Sequence, residues 1–171
     1  MKLEQVVELY QSFEAAQLQV WVDGGWGVDA LLGEQTRPHS DLDLALKFGE
    51  LPSCENILKS HGYVEAERDG EPEWNRVFRQ PSGWQVDLHG FVLDVAGNAV
   101  LGDPAQGIMY PVGALDGAGT LGELRVRCVA APFVLQFRNS FEPRSVDHHD
   151  VARLCARFDL PLPCRFRPHG S

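Results

Sequence analysis

Asp41 and Asp43 stand two residues apart in Asp41-Leu-Asp-Leu-Ala-Leu46, where acids and alanine alternate strictly with leucines. On a strand, residues i and i+2 share a face, so the leucines go to one side and both carboxylates to the other. Adjacent carboxylates repel each other unless a cation or a basic group lies between them. Mg²⁺ prefers oxygen ligands, keeps several waters and is typically held by one or two carboxylates plus substrate phosphates. Sixteen residues upstream of Asp41, the pair Gly24-Gly25 sits inside Trp21-Val-Asp-Gly-Gly-Trp-Gly27. Glycines after an apolar strand let the backbone approach a phosphate, and the N-terminus of a following helix favours anions. Together these motifs read as a site for a metal-bound nucleoside triphosphate. The plainer readings are a solvated acidic strand face and an ordinary strand-to-helix turn. The glycines are not a P-loop, because no G-x-x-x-x-G-K follows.

A third carboxylate comes from Trp84-Gln-Val-Asp-Leu-His-Gly-Phe91, in which Asp87, His89 and Phe91 share one face. If this strand lies beside the Asp41 strand, Asp87 reaches the metal pair. It then completes the coordination or takes the proton of an attacking hydroxyl. The alternative is an edge-strand acid paired with Arg76 or Arg79. His89 reads equally as a proton relay and as a partly buried histidine. Arg37 and His39 precede the acidic strand and are candidates for contact with the triphosphate or the leaving pyrophosphate, against a solvated loop. Asp23 and Asp29 are candidates to flank the site, with a surface acid as the alternative for Asp29, and Trp26 reads as a packing residue before a stacking one. Asp147-His-His-Asp150 has the residue types of a metal cluster. Its position at a helix start favours capping by Asp147 and a dipole contribution from Asp150.

These side chains need a sheet and several helices to hold them. Apolar residues at helical spacing predict a helix over residues 3–16. A short strand (Leu18–Val22) and a helix beginning after the glycines (Trp26–Leu32), closed by Gly33, come next. The alternating Asp41–Leu46 strand is followed by a helix over 52–60. Strands are expected at 63–66, 74–79 and 84–93, with Gln-Pro-Ser-Gly83 making a hairpin between the last two. Residues 94–120 are rich in Gly, Asp, Ala and Pro and are expected as loops over the sheet that contribute to an acceptor pocket. A strand or hairpin at 121–129 and helices at 131–141 and 146–158 complete the order, with Pro161–Ser171 as an irregular tail. Helices and strands in this order give an α+β fold with a mixed sheet, one domain over residues 1–160.

The 171 residues carry a formal net charge of −9, with 44% hydrophobic and 23% charged residues. These are ordinary globular proportions, and the acidic balance argues against nucleic acid as a partner. Cys54, Cys128, Cys155 and Cys164 form no C-x-x-C pair and read as free thiols. The acidic, amphipathic first ten residues do not resemble a signal peptide, and no stretch approaches the length of a membrane helix. A cytoplasmic protein is expected.

The run from Trp21 to Gly33, the block Thr36-Arg-Pro-His-Ser-Asp-Leu-Asp43 and Val86-Asp-Leu-His89 resemble the small lincosamide nucleotidyltransferases. They are also similar to the related aminoglycoside 2″-adenylyltransferases. The resemblance extends over residues 3 to about 158, including Val126-Arg-Cys-Val129. It implies a nucleotidyltransferase core of the DNA-polymerase-β type with flanking and C-terminal helices. It also implies Mg²⁺ as cofactor, ATP as nucleotide donor, and AMP transfer to a hydroxyl of a small-molecule antibiotic. By position, Asp41, Asp43 and Asp87 would be the metal ligands and catalytic residues, with Asp87 as general base. Gly24 and Gly25 would hold the phosphates, with Arg37 and His39 beside them. His89 stands closer to the lincosamide branch, because the aminoglycoside branch has an acid there. The alternatives are an aminoglycoside acceptor, a protein or RNA end as acceptor, or a domain of this fold that binds nucleotide or a partner without transfer. A homodimer stays open.

Overall fold

The computed structural model describes residues 1–66, 70 and 72–167. The first helix, α1 (Leu3–Ala15), buries Val6, Leu9, Tyr10 and Phe13, positions three and four apart that lie on one helical face. β1 (Val20–Val22) leads directly into α2 (Gly24–Leu32). This helix starts two residues earlier than expected and takes both glycines into its first turn. Asp23 caps it by accepting from Gly24 N, and Gly33 closes it in the left-handed conformation at φ 77°. β2 (Asp41–Lys47) buries Leu42, Leu44 and Leu46 and leaves Asp41 and Asp43 half-buried on the other face, as the alternation requires.

α3 (Leu51–Ser60), β3 (Val64–Glu65), β4 (Asn75–Arg79) and β5 (Gln85–Leu93) follow. Residues 94–120 are more ordered than expected. They hold β6 (Ala99–Val100), β7 (Met109–Tyr110) and β8 (Gly117–Leu121), the last forming a hairpin with β9 (Leu124–Cys128). Strands of two residues carry no period of their own. β6 exists because it pairs with the end of β5, and β7 because it pairs with β6.

Among the described residues the main sheet runs β3-β4-β5-β2-β1-β9-β8. β2 pairs antiparallel with β1 and parallel with β5, while β1 pairs parallel with β9. The sheet is therefore mixed, in agreement with the expected α+β class. α4 (Ala131–Arg138) and α5 (Ser145–Phe158) both pack against α2, and α1 packs against α3. Residues 160–167 hold only a single short turn at 164–166, where buried Phe166 meets His148 edge-on. The rest of the expected irregular tail, 168–171, lies outside the described residues. All four cysteines are free thiols, as their spacing predicts.

Candidate active site

The parallel pairing of β2 and β5 decides the geometry. Asp43 and Asp87 are directly opposed in the register, and Asp41 is opposed to Gln85. Asp87 therefore lies on an interior strand between β2 and β4, opposite Val77, and not on a sheet edge facing Arg76 or Arg79. The Gln85 amide, two residues earlier on the same face, donates to Asp87 Oδ1 at 2.8 Å.

A fourth carboxylate joins from β1. The Asp23 N–H donates to the Asp43 carbonyl at 2.9 Å, which ties the end of β1 to the acidic strand. The Asp23 side chain accepts from Gly24 N at 2.7 Å and from the Tyr110 hydroxyl at 2.9 Å. Burial, then the neighbouring charges of Asp23, Asp41 and Asp87, push the Asp43 carboxyl well above the usual carboxylate range. A convergence of acids this unfavourable is what a bound cation relieves.

The glycine pair is required by contact. Gly24 adopts φ +58°, and a Cβ there would overlap the Asp43 carboxylate. A Cβ on Gly25 would collide with the His39 ring and would lie 2.7 Å from Arg37 Nη2. The first turn of α2 thus sits directly against Asp43, His39 and Arg37.

A cavity of about 720 Å³ opens over this arrangement. Asp23, Gly24, Gly25, Arg37, His39, Asp41, Asp43 and His89 line it, together with Val134, Phe137, Arg138, Phe141, Arg144 and Val146 from α4, α5 and the turn between them. Arg37 reaches the cavity with its guanidinium engaged in a two-point ion pair with Asp150, Nε to Oδ1 at 2.8 Å and Nη2 to Oδ2 at 2.7 Å. His39 is buried, with Nδ1 at 3.0 Å from Arg37 Nη1 and Nε2 against the Asp29 carboxylate.

Three further acids are buried and paired. Asp29 is not a surface acid: it is 1% exposed and also accepts from Thr36 N and Oγ1. Its helix is enclosed by β8 and α5, so a carboxylate on it must find internal donors. Asp147 and Asp150 are buried too, and they serve arginines. Arg138 bonds both of them, and Arg144 bonds Asp147 from its backbone N and its side-chain Nε. Burial alone would raise the Asp147 carboxyl, but the Arg144 hydrogen bonds and the Arg138 charge hold it below its ordinary range. The expectation of capping over metal binding agrees with the Asp147 contact to Arg144 N at the helix start.

Sequence reasoning did not single out Tyr110, Arg138 or Arg144. Nothing local marks them, since Tyr110 meets Asp23 across 87 positions of chain.

The profile of the aminoglycoside-2″-adenylyltransferase family matches residues 5–154. The chain belongs to that family. It is accordingly a nucleotidyltransferase, in a family of antibiotic-modifying enzymes. A lincosamide resistance protein of Staphylococcus haemolyticus is 25% identical over 142 residues, 83% of this chain and 87% of that protein. A 2″-aminoglycoside nucleotidyltransferase of Klebsiella pneumoniae is 39% identical over 64 residues, 34% of this chain and 36% of that protein. Among solved structures, the lincomycin-bound lincosamide antibiotic adenylyltransferase LnuA superposes with a TM-score of 0.77 at 21% identity, covering 90% of this chain and 96% of that one. ANT(2″)-Ia in complex with adenylyl-2″-tobramycin gives 0.73 at 18% identity, covering 91% and 88%. The family member described here therefore has the nucleotidyltransferase fold.

Proposed function

We propose that this protein transfers AMP from ATP to a hydroxyl group of a small antibiotic, with a lincosamide as the favoured acceptor. The observation that carries the reading is the β2–β5 register. It sets Asp87 beside Asp43, with Asp41 on the same face and Gly24 packed against the Asp43 carboxylate.

The residues fit a divalent cation. Among the described residues no group of three or more His, Cys, Asp or Glu is arranged to hold a metal ion by itself, but Asp41 and Asp43 share a strand face and Asp43 is opposed to Asp87 in the register. An incomplete carboxylate set suits Mg²⁺, which takes its remaining ligands from phosphate and water. Asp41 and Asp43, with Asp87, would hold the ion. When bound, it neutralises charge on the donor phosphates and makes the α-phosphorus more electrophilic. Asp87 takes the acceptor's proton as the acceptor oxygen bonds the α-phosphorus and the bond to pyrophosphate breaks. Gly24 and Gly25 let the α2 backbone meet the phosphates, Arg37 offsets the charge of the departing pyrophosphate, and His39 holds Arg37 in place.

Two observations favour a lincosamide. The carboxylates lining the cavity are Asp23, Asp41 and Asp43, while the lining residues from α4, α5 and the turn between them are Val134, Phe137, Phe141 and Val146 with Arg138 and Arg144. A polycationic aminoglycoside would meet guanidiniums there, whereas a lincosamide brings an alkyl chain and a single basic amine. The lincosamide resistance relative also spans most of this chain, and the aminoglycoside relatives about a third. An aminoglycoside acceptor is the second reading, supported by the family description and the higher identity over the shared 64 residues. A non-catalytic binding role is disfavoured because all three candidate carboxylates are present.

We further propose that residues 1–160 act as one domain in the cytoplasm, as a monomer or homodimer, without nucleic acid or membrane partners. The net charge of −9 counts against nucleic acid, and no helix among the described residues is long and apolar enough to cross a membrane.

The test is mass spectrometry of protein, ATP and Mg²⁺ with lincomycin, clindamycin and a panel of aminoglycosides. An added AMP on a lincosamide, absent with Asp43→Asn, supports the proposal. An adduct confined to aminoglycosides overturns the acceptor, and no adduct with ATP still binding overturns the transfer chemistry on these acceptors.

A further inference from the structure

His89 lines the cavity two residues beyond Asp87 on the same strand face, and its Nδ1 lies 3.3 Å from the Tyr110 hydroxyl oxygen. That hydroxyl has one proton. It is already given to Asp23 Oδ2 at 2.9 Å, and a carboxylate can only accept. Asp23 is itself anchored, because its other oxygen takes the Gly24 N–H that opens α2. Burial, followed by the charge of Asp23, pushes the Tyr110 phenol well above its ordinary range, so the oxygen keeps its proton. Tyr110 is 4% exposed and its ring packs edge-on against Phe91 and Phe137, which holds the hydroxyl oxygen at Asp23 and His89.

With its proton committed, the Tyr110 oxygen can only accept from His89. The 3.3 Å contact is then a hydrogen bond when Nδ1 carries the ring proton. In the neutral ring this leaves Nε2 as a lone-pair acceptor, oriented by a third group in the manner of other positioned imidazoles.

We propose that the chain Asp23–Tyr110–His89 locks His89 in the Nδ1–H tautomer, so that Nε2 accepts a hydrogen bond from a hydroxyl of the acceptor and thereby positions it beside Asp87. His89 is a positioning and specificity residue, and Tyr110 acts through it. The proposal rests on the acceptor occupying this cavity. It adds that the site requires a hydroxyl donor facing His89, next to the one that is adenylylated.

Two measurements test it. The first is ¹H–¹⁵N long-range NMR of the histidine rings, with His89 assigned by its loss in His89→Gln. Wild-type protein is expected to show His89 in the Nδ1–H form. Tyr110→Phe is expected to release it to a mixture in which Nε2–H is populated. A wild-type Nε2–H tautomer, or a tautomer insensitive to Tyr110→Phe, overturns the lock. This arm requires no substrate and is independent of the acceptor's identity.

The second is steady-state kinetics on whichever acceptor the mass-spectrometric screen identifies. His89→Asn keeps a polar group near Nδ1 but not at Nε2. It is expected to lower kcat/KM for the acceptor about tenfold, the worth of one hydrogen bond, with KM for ATP unchanged. His89→Gln places an amide oxygen near the Nε2 position and is expected to recover most of that loss. Equal effects of Asn and Gln, or a parallel change in KM for ATP, would overturn the positioning role. Failure of the whole AMP-transfer reading would instead appear as no adduct with wild-type protein.

Discussion

Gly24 and Asp43 are packed so closely that no side chain fits between them: a Cβ on Gly24 would occupy the space of the Asp43 carboxylate. The same glycine holds φ +58°, a conformation that costs a non-glycine residue about 1–3 kcal/mol when strained. Gly24→Ala is therefore expected to lower stability by about that amount and to displace Asp43. Activity should fall by about a hundredfold or more, the usual penalty for a misplacement on the scale of 1 Å. Thermal melts with AMP-transfer rates check both effects. Unchanged activity would mean that the glycine serves the turn alone.

Asp43 is destabilising as long as its charge is uncompensated. Burial first, then Asp23, Asp41 and Asp87, raise its pKa well above the ordinary value. The folded state thus holds a proton on Asp43 more tightly than the unfolded chain does. Stability is greatest below the unfolded value of about 4 and declines as pH rises through the raised folded value. Asp43→Asn is expected to raise the Tm of metal-free protein at pH 7 while slowing transfer by orders of magnitude. Adding Mg²⁺ should stabilise wild type more than the variant. Melting curves across pH, with and without Mg²⁺, check this. A variant less stable than wild type in EDTA would refute the picture of crowded acids.

Asp87 is assigned the proton of the acceptor hydroxyl. Loss of a general base commonly costs a factor of about 10²–10⁴. Asp87→Asn is expected to lose activity in that range and to retain binding of ATP and acceptor by calorimetry. Near-wild-type turnover would move the base elsewhere.

The arginine–carboxylate network behind the cavity is buried, with Asp150 at 1% exposure bonded to both Arg37 and Arg138. Removing one partner from a buried ion pair costs about 3–5 kcal/mol, on the order of 10 °C in Tm for a chain of this size. Asp150→Ala should show a loss of that size together with weaker ATP binding through a misplaced Arg37. A Tm within a degree or two of wild type would contradict it.

Asp147, with its pKa held below the ordinary carboxylate value by Arg144 and Arg138 against the effect of burial, sets an acid limb. Its stabilisation is complete above the unfolded value of about 4 and is lost as pH falls through the lower folded value. Asp147→Asn should flatten the stability profile below about pH 4. A profile identical to wild type in that range would remove Asp147 from the account.

Much of the site was legible because it is written in a local period. Asp41, Asp43 and Asp87 could be placed on strand faces from alternation alone, and their faces are as predicted. Their juxtaposition needed the β2–β5 pairing, which no local pattern contains. The surface reading of Asp29 fails because its helix is enclosed by β8 and α5, elements that begin 88 and more residues further along the chain. The small strands in 94–120 were missed for a related reason. Two-residue strands are imposed by their partners, so Tyr110, which ends one of them, could not be linked to Asp23.

Arg37 is joined to Asp150 across 113 positions of sequence. During synthesis the acidic strands and the glycine turn leave the ribosome long before α5 does. The nascent chain thus carries crowded carboxylates and an unanswered Arg37 until its last helix emerges. About a third of the residues lining the cavity arrive only with that helix, its neighbour α4 and the turn between them. Binding competence is therefore expected to appear in a single late step once α5 has emerged from the ribosome, and ribosome-bound chains in which it has not emerged should not retain nucleotide.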